Sequence, residues 1–310
     1  MWYDPGMRLL ITGSRGFVGS HVVARCRKQG IIVFGTSRKR SGKNVYKIDS
    51  TDFSQLNSFM RTKNITACIH LAGESIVEEG QENPHKTFST NIQGALNVLE
   101  ASARNNLMRV IIASTSHVYG STTVPYHEDD LLHPTRPYET SKACIDLIAA
   151  SYAETYGLPV LIPRFVNIYG PGDLNFSRII PKTIRSVLRG ENPEMWGDGK
   201  IIRDYLYIDD VVDAYMKLLT VDKRKIPRST VLNFGSDSLI SVKKLINRII
   251  SLSGKRLRIK HVTSPRDAEI KRQYVSWKKA QQILGWHPTV DLDEGIAITI
   301  DWYRRYLNRK

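Results

Sequence analysis

Short apolar runs alternate with amphipathic stretches along the first half of the chain. The apolar runs have the length and composition of buried strands, and they occupy residues 8–12, 31–36, 67–70, 110–114 and 160–163. Amphipathic stretches with helical spacing lie between them. Strands that alternate with helices in this way build a parallel sheet with helices on both faces, so we predict a doubly wound α/β fold. Ligands of such sheets bind beyond the carboxyl ends of the strands.

The first predicted strand leads directly into a glycine-rich turn. Gly13, Gly16 and Gly19 stand between the apolar run at 8–12 and a helical pattern at 20–29. Glycines in this arrangement permit a tight turn, let the backbone approach a pyrophosphate closely and seat the helix on the sheet. The segment therefore predicts a dinucleotide site, with the anion at the N-terminus of the helix.

The end of the second predicted strand bears on the choice of dinucleotide. Sites for NAD carry an acidic residue there for the ribose 2′-hydroxyl, whereas this chain has Ser37 and Arg38. A guanidinium can pair with a 2′-phosphate in a forked geometry, and a serine hydroxyl can donate a hydrogen bond to it. The sequence favours NADP. NAD is the alternative, in which Arg38 only solvates a loop.

A second chemical motif pairs a tyrosine with a lysine. Tyr138 and Lys142 share one face of a predicted helix, so the Lys142 ammonium can favour the Tyr138 phenolate near neutral pH. A phenolate of this kind is a general base. The hydroxyl of Thr115, which follows the apolar run 110–114, can aim a substrate alcohol at that base.

Six ordered motifs resemble the extended short-chain dehydrogenase/reductases, and more narrowly their nucleotide-sugar epimerase/dehydratase branch. They lie at residues 12–19, 70–73, 90–94, 114–120, 138–142 and 164–172, and further matching segments extend the resemblance to about residue 305. The resemblance implies a Rossmann-type dinucleotide-binding domain at 1–172, to which 205–220 return. It also implies an interleaved, smaller mixed α/β substrate lobe at 173–310.

The same resemblance implies a set of site residues. The catalytic residues would be Thr115, Tyr138 and Lys142, with His117 as a further candidate. The residues implied to bind the cofactor are Gly13, Arg15, Gly16, Phe17, Val18, Gly19, Ser37, Arg38, Asp49, Ser50, Leu71, Ala72, Gly73, Asn91, Tyr138 and Lys142. The residues implied to bind the substrate are Ser116, His117, Asn167, Arg178, Arg203 and Arg266. Asp49 and Asp52 resemble positions that border the adenine, and either can instead be a turn or helix-cap aspartate.

The reaction implied by the resemblance is oxidation of a sugar at C4. Tyr138 would take the proton of the 4-hydroxyl while C4 gives hydride to the nicotinamide, which leaves a 4-keto sugar. The 4,6-dehydratases place an acid and a base directly after the catalytic threonine, usually with a carboxylate, whereas this chain has Ser116 and His117. We therefore expect a 4-epimerase. The alternatives are a 4,6-dehydratase of the CDP-glucose or GDP-mannose type, with His117 as the base, and an NADPH-dependent 4-ketoreductase.

Composition limits the remaining classes. The chain has 310 residues, 41% of them hydrophobic, and no long apolar run, so we expect a globular protein without a membrane span. Residues 1–6 lack the basic stretch and apolar core of a secretory signal. Cys26, Cys68 and Cys144 do not have the spacing of metal ligands. We expect reduced thiols, no metal and a cytoplasmic protein.

The net charge of +15 is spread over the chain in short basic groups. We interpret it as solvated surface and as a field that attracts the expected partner, a nucleotide-diphosphate sugar. Nucleic acid is not an expected partner. An RNA-binding protein on the same fold is the remote alternative. Such a protein would not need the pair of Tyr138 and Lys142, which this chain has. In the resembled family two helices of each subunit form a four-helix bundle, so we expect a homodimer through the apolar residues Leu96, Leu99, Ile145, Leu147 and Ile148.

Overall fold

The structure, a computed structural model, describes residues 6–39, 41–263 and 270–308. Its strands are β1 (Arg8–Thr12), β2 (Ile32–Ser37), β3 (Val45–Lys47), β4 (Ala67–His70), β5 (Arg109–Ile112), β6 (Ser114–Thr115), β7 (Val160–Phe165), β8 (Asn167–Tyr169), β9 (Glu194–Trp196), β10 (Ile202–Tyr207), β11 (Ser229–Phe234), β12 (Leu239–Ser241), β13 (Lys260–Val262) and β14 (Arg272–Gln273). Its α-helices are α1 (Phe17–Lys28), α2 (Phe53–Thr62), α3 (Val77–Glu82), α4 (Pro84–Phe88), α5 (Gly94–Arg104), α6 (Pro137–Tyr156), α7 (Ile179–Leu188), α8 (Ile208–Thr220), α9 (Val242–Leu252), α10 (Lys278–Leu284) and α11 (Leu292–Leu307).

The central sheet runs in the order β3-β2-β1-β4-β5-β7-β11, and the short strand β6 pairs with β7. Each of these pairings is parallel. The chain builds outward from β1 through β2 to β3, and then crosses to the other side of β1 to place β4. The order thus reverses between β1 and β4, which is where doubly wound sheets bind their ligands. The predicted Rossmann-type parallel fold is confirmed.

The strands are buried because both faces of the sheet are covered by helices. Leu9 and Ile11 of β1 point into one core, with α1 and α8, while Leu10 between them points into the other, with α2, α5 and α6. All three side chains are fully buried. This two-sided burial explains why the predicted strands are apolar runs without alternation.

The apolar run predicted as one strand at 110–114 is two strands in the structure. β5 ends at Ile112, and β6 begins at Ser114. Ala113, between them, still donates its N–H to the carbonyl of His70, but its own carbonyl accepts a bond from the side chain of Lys142. At this break between β5 and β6, the Ala113 carbonyl therefore binds the Lys142 side chain instead of a neighbouring strand.

The second half of the chain divides its elements between two regions. The strands β8, β12 and β14 pair with β10 in a smaller mixed sheet, and β9 pairs with β13. By contrast β11 extends the central sheet beside β7, and α8 packs against α1. Trp286, fully buried, donates its indole N–H to the carbonyl of Asp210 in α8 and so ties the end of the chain to that helix. Across the described residues, every helix is too short or too polar to cross a membrane.

Candidate active site

The turn between β1 and α1 is closely packed backbone. Gly13 has a left-handed φ of 64°, and a Cβ there would lie 2.8 Å from the Ala72 nitrogen. A Cβ at Gly19 would lie only 2.2 Å from the Gly13 carbonyl oxygen. The first turn of α1 has neither a side-chain cap nor an acidic residue, so its N–H groups are open to an anion. The predicted glycine turn thus has the close approach and the helix N-terminus that a pyrophosphate requires.

A cavity of about 1170 Å³ runs from this turn along the carboxyl ends of the strands. Most residues implied to bind the cofactor line it, namely Gly13, Arg15, Gly16, Phe17, Val18, Gly19, Ser37, Arg38, Ser50, Leu71, Ala72 and Gly73. Thr115, His117, Tyr138, Lys142, Asn167, Arg178 and Arg203 line the other part. The volume exceeds the usual range for one drug-sized ligand, about 300–1000 Å³, so there is room for a dinucleotide with a second molecule.

The two aspartates considered for the adenine end have local roles in the structure. Asp49 accepts hydrogen bonds from the backbone N–H and the hydroxyl of Thr51, at 3.0 and 2.9 Å, and it is not among the described residues that line the cavity. Asp52 caps α2 by accepting the N–H of Gln55 at 2.9 Å. Ser50, between them, does line the cavity. The structure therefore places Asp49 in a turn rather than in the cavity wall.

Three further predicted residues lie away from the cavity wall or outside the described residues. Asn91 is buried, and it clamps the Glu74 backbone by accepting its N–H at 2.7 Å and donating to its carbonyl at 3.0 Å. These two hydrogen bonds hold the backbone of Glu74, which lines the cavity. Ser116 is buried and is not among the described lining residues. Arg266 lies outside the described residues.

The predicted catalytic residues meet at the carboxyl end of β6. Pro137 starts α6, which presents Tyr138 and Lys142 one turn apart on the same face. Thr115 is the last residue of β6, which pairs with β7, and its hydroxyl lies near enough to the Tyr138 phenol to favour the phenolate. Tyr138, Lys142 and Thr115 all line the cavity. This arrangement can bind an alcohol and accept its proton.

The electrostatics differ from the sequence expectation. Burial raises the pKa of Tyr138, although the Arg178 guanidinium and the Thr115 hydrogen bond favour its phenolate. Lys142 instead donates from Nζ to the Ala113 carbonyl at 2.9 Å, and burial lowers the pKa of this ammonium to about 8. The expectation that Lys142 holds a phenolate at neutral pH is therefore not met in this state, because desolvation outweighs the charges around the phenol.

A histidine and a glutamate beside Tyr138 form a pair that the sequence reasoning missed. His117 Nδ1 lies 3.6 Å from Glu139 Oε1, and the rings of His117 and Tyr138 meet edge to face with centroids 6.3 Å apart. Neither of these two atoms has a hydrogen-bond partner among the described residues. Glu139 Oε2 accepts the backbone N–H groups of Thr135 and Arg136 at the start of α6. Glu139 occupies a helix-capping position at the start of α6, and nothing in the local sequence connects it with His117.

An ion-pair cluster borders the end of the cavity near Ser37. Arg38 Nη2 lies 3.0 Å from Glu74 Oε1, and Lys86 Nζ of α4 lies 3.3 Å from the same oxygen. Burial acts to raise the pKa of Glu74, but the hydrogen bonds from Arg38 and Lys86 hold it below its ordinary value. Two cations thus share one carboxylate, and the cluster keeps an excess positive charge.

The substrate residues implied by the resemblance are held by the second half of the chain. Arg178 pairs with the buried Asp173 at 3.0 Å and donates to the Ser75 hydroxyl at 3.3 Å. Arg203 donates to the carbonyl of Ile270 at 2.7 Å. Asn167 donates to a β10 carbonyl at 3.3 Å. Arg178 and Arg203 both line the cavity, where a guanidinium can pair with an anionic ligand.

Comparison with known proteins agrees with this site. Residues 9–235 match the model of the NAD dependent epimerase/dehydratase family. A UDP-glucuronate 4-epimerase of Thermodesulfobacterium geofontis is 29% identical over 94% of this chain and 95% of its own length. A dTDP-glucose 4,6-dehydratase of Streptomyces griseus is 28% identical over 96% of this chain and 94% of its own.

The solved structures give the same result. The structure of a Bacillus cereus UDP-glucuronic acid 4-epimerase, in complex with UDP-glucuronic acid and NAD, has a TM-score of 0.89 and 25% identity. The alignment covers 97% of this chain and all of that one. Together with the glycine turn and the Thr115, Tyr138 and Lys142 cluster, these matches show that the chain belongs to the NAD-dependent epimerase/dehydratase family of extended short-chain dehydrogenase/reductases, whose members are enzymes.

Proposed function

We propose that this protein is a nucleotide-sugar 4-epimerase that works with a bound NAD(P). The observation that carries the proposal is the meeting of Tyr138, Thr115 and Lys142 in one cavity with the glycine turn. The phenolate of a tyrosine beside a hydroxyl can bind a sugar alcohol, take its proton and later return it. Arg178 and Arg203 supply the positive charge that a diphosphate substrate needs.

The chain's own residues account for binding and for proton transfer. The turn at Gly13 and the N-terminus of α1 would hold the pyrophosphate of the dinucleotide, and Ser37 with Arg38 would contact its ribose end. When bound, the nicotinamide supplies a site that accepts hydride from C4 and returns it. In its phenolate form, Tyr138 takes the proton of the 4-hydroxyl and gives it back after the keto sugar has turned over. Thr115 orients that hydroxyl during both transfers.

A 4,6-dehydratase is the second candidate, and the pair of His117 and Glu139 favours it. Elimination of water from a 4-keto sugar requires a base for the C5 proton. His117 lines the cavity beside Tyr138, and the buried carboxylate of Glu139 faces its Nδ1. A carboxylate in this position orients an imidazole by accepting from its Nδ1. The carboxylate that 4,6-dehydratases usually place directly after the threonine is thus supplied here by Glu139 from α6, next to His117.

One experiment separates the two candidates. The purified protein is incubated in D₂O with either NADP or NAD and, in turn, UDP-glucuronate, UDP-glucose, dTDP-glucose, CDP-glucose and GDP-mannose, and the products are identified by NMR and mass spectrometry. An epimerase yields the 4-epimer with C5 still protonated, whereas a dehydratase yields a product lighter by one water that carries deuterium. Tyr138→Phe should lower either rate by at least ~10²-fold, the scale of a general base. Conversion by Tyr138→Phe at the wild-type rate would refute both candidates.

We propose NADP as the preferred cofactor, with NAD as the alternative. The proposal rests on Ser37 and on the excess positive charge of the cluster formed by Arg38, Lys86 and Glu74. Arg38→Ala should weaken NADPH much more than NADH, by about ten- to a hundredfold, since a charge-assisted hydrogen bond contributes about 1.5–3 kcal/mol. Glu74→Gln should act in the opposite direction, because it frees Arg38 for the 2′-phosphate. Calorimetric titration of both cofactors checks this, and a wild-type preference for NADH would refute it.

We also propose a homodimer through α5 and α6. Among the five apolar residues expected at this interface, Leu99 and Ile145 are fully buried within the subunit and so belong to its core. Leu96 and Ile148 are half-buried, and Leu147 is 66% exposed. These three remain available for a four-helix bundle between two copies. A cytoplasmic location stays a prediction from the sequence.

A further inference from the structure

The ammonium of Lys142 is surrounded by few groups that can balance its charge. From α6, Tyr138 stands one turn before it and Asp146 one turn after it. The Ala113 carbonyl accepts its hydrogen bond at 2.9 Å. From β4, His70 faces it, but burial lowers the pKa of His70 to about 3, so that this ring is neutral at pH 7. Among the described residues that act on Lys142 electrostatically, Asp146 is the carboxylate that favours its charged form.

Asp146 is held in place by a buried network that spans three elements. Its Oδ2 accepts from Arg164 Nε at 2.8 Å, and the two side chains are only 3% and 5% exposed. Arg164 also donates to the Tyr119 hydroxyl at 2.7 Å and lies over that ring, 4.9 Å from its centroid. The Tyr119 hydroxyl in turn donates to Asn233 Oδ1 at 2.9 Å. The network therefore fixes the Asp146 carboxylate between α6, β7 and β11.

Burial of such a charged network costs free energy, so a contribution to stability does not by itself explain why it is present. Desolvating two charges can cost as much as their attraction returns, so a buried ion pair is weak evidence for a purely stabilising role. Asp146 Oδ1 has no hydrogen-bond partner among the described residues, although it is buried. A buried carboxylate one helical turn from an ammonium acts on that ammonium through a medium of low dielectric.

We propose that Asp146, held by Arg164, is a positioning residue that keeps Lys142 protonated beneath the active-site cavity. Its role in turnover rests on the proposed function, since Lys142 must carry its charge while Tyr138 exchanges a proton with the sugar. The carboxylate needs no contact with substrate or cofactor for this role. It favours the charged form of Lys142, and its negative charge also opposes ionisation of Tyr138.

Replacing Asp146 and replacing Arg164 should shift the titration midpoint of Lys142 in opposite directions. Asp146→Asn removes the attraction and leaves Lys142 near an unpaired Arg164, so the titration midpoint of Lys142 should fall by at least about one pH unit. Arg164→Gln releases the carboxylate to interact with Lys142 alone, so the midpoint should rise. A purely structural role for the pair predicts that both variants loosen the site and shift the midpoint in the same direction, toward the ordinary value of a solvated lysine.

The measurement is an NMR titration of the NAD-bound protein labelled with ¹³C at lysine Cε. The Lys142 signal is the one absent from Lys142→Met, and its midpoint is followed from pH 6 to pH 11. Asp301→Asn is the matched control, because it removes an exposed carboxylate paired with Arg304 on α11. This control should leave the midpoint unchanged. Shifts of the same sign in Asp146→Asn and Arg164→Gln, or no shift in either, would overturn the proposal.

A double variant covers the case in which a single variant does not fold. Asp146→Asn with Arg164→Gln removes both charges of the buried ion pair, and its midpoint should still lie below that of wild type because the carboxylate that favours the Lys142 ammonium has been lost. A wild-type midpoint in the folded double variant would refute the proposal. The titration needs no sugar, so a failure of the proposed 4-epimerase activity leaves its outcome readable. Where turnover is measurable, the alkaline limb of kcat/KM should shift with the same sign as the midpoint.

Discussion

Replacing Lys142 by methionine should make the protein more stable and catalytically inactive. Methionine keeps most of the length of the side chain but carries no charge into the buried site. The pKa of Lys142 lies at about 8 instead of its ordinary 10.5 because burial penalises the ammonium. At about 1.4 kcal/mol for each pH unit, this difference corresponds to about 3 kcal/mol of destabilisation at neutral pH. Loss of the hydrogen bond to the Ala113 carbonyl offsets about 1 kcal/mol of the gain.

The direction in which the stability difference changes with pH shows whether burial of the Lys142 ammonium causes it. Between pH 8 and 10.5 the unfolded chain binds the Lys142 proton while the folded chain has released it, so wild type gains stability as the pH rises through this range. The variant lacks that gain. The stability advantage of Lys142→Met should therefore shrink by about 2 kcal/mol between pH 7 and pH 9.5.

Urea denaturation of the cofactor-free proteins at pH 7, 8, 9 and 9.5 measures the difference directly. Lys200→Met is the matched control, since the Lys200 side chain is 86% exposed and should show no pH-dependent advantage. If Lys142→Met is less stable than wild type at every pH, or if its advantage does not change with pH, the reasoning from burial of the ammonium is wrong.

Three further predictions concern the turn, the packing of the chain end and assembly. Gly19→Ala should lose about 1–3 kcal/mol of stability and bind either dinucleotide weakly, because its Cβ would lie 2.2 Å from the Gly13 oxygen. Gly42→Ala is the control, because its Cβ would meet only the end of an arginine side chain, and it should lose neither stability nor dinucleotide binding. Equal losses of stability for the two variants in urea denaturation would contradict this reasoning. Trp286→Ala should lower the free energy of unfolding by about 3–5 kcal/mol, since it empties a fully buried site. A urea midpoint indistinguishable from that of wild type would contradict this prediction. Leu147→Asp should turn a dimer into a monomer in sedimentation, while a wild type that sediments only as a monomer would disprove the interface.

The sequence alone determined the parallel α/β fold and the chemistry at the ends of its strands. Buried strands read as apolar runs because helices cover both faces of the sheet, and Gly13 and Gly19 stand where only glycine fits the backbone. The pairing of Tyr138 with Lys142 follows from helical spacing, which is local. These features depend on neighbours within a few residues, so the order of the amino acids is sufficient to predict them.

Only the tertiary structure decided how the charges of the site are balanced. Glu139 reads as a helix cap and Glu74 as a loop residue, yet one faces His117 and the other pairs with Arg38. The pKa of Tyr138 and that of Lys142 depend on burial, which arises where α6 crosses the break between β5 and β6. Desolvation and pairing are set by groups distant in sequence, so no local pattern predicts them.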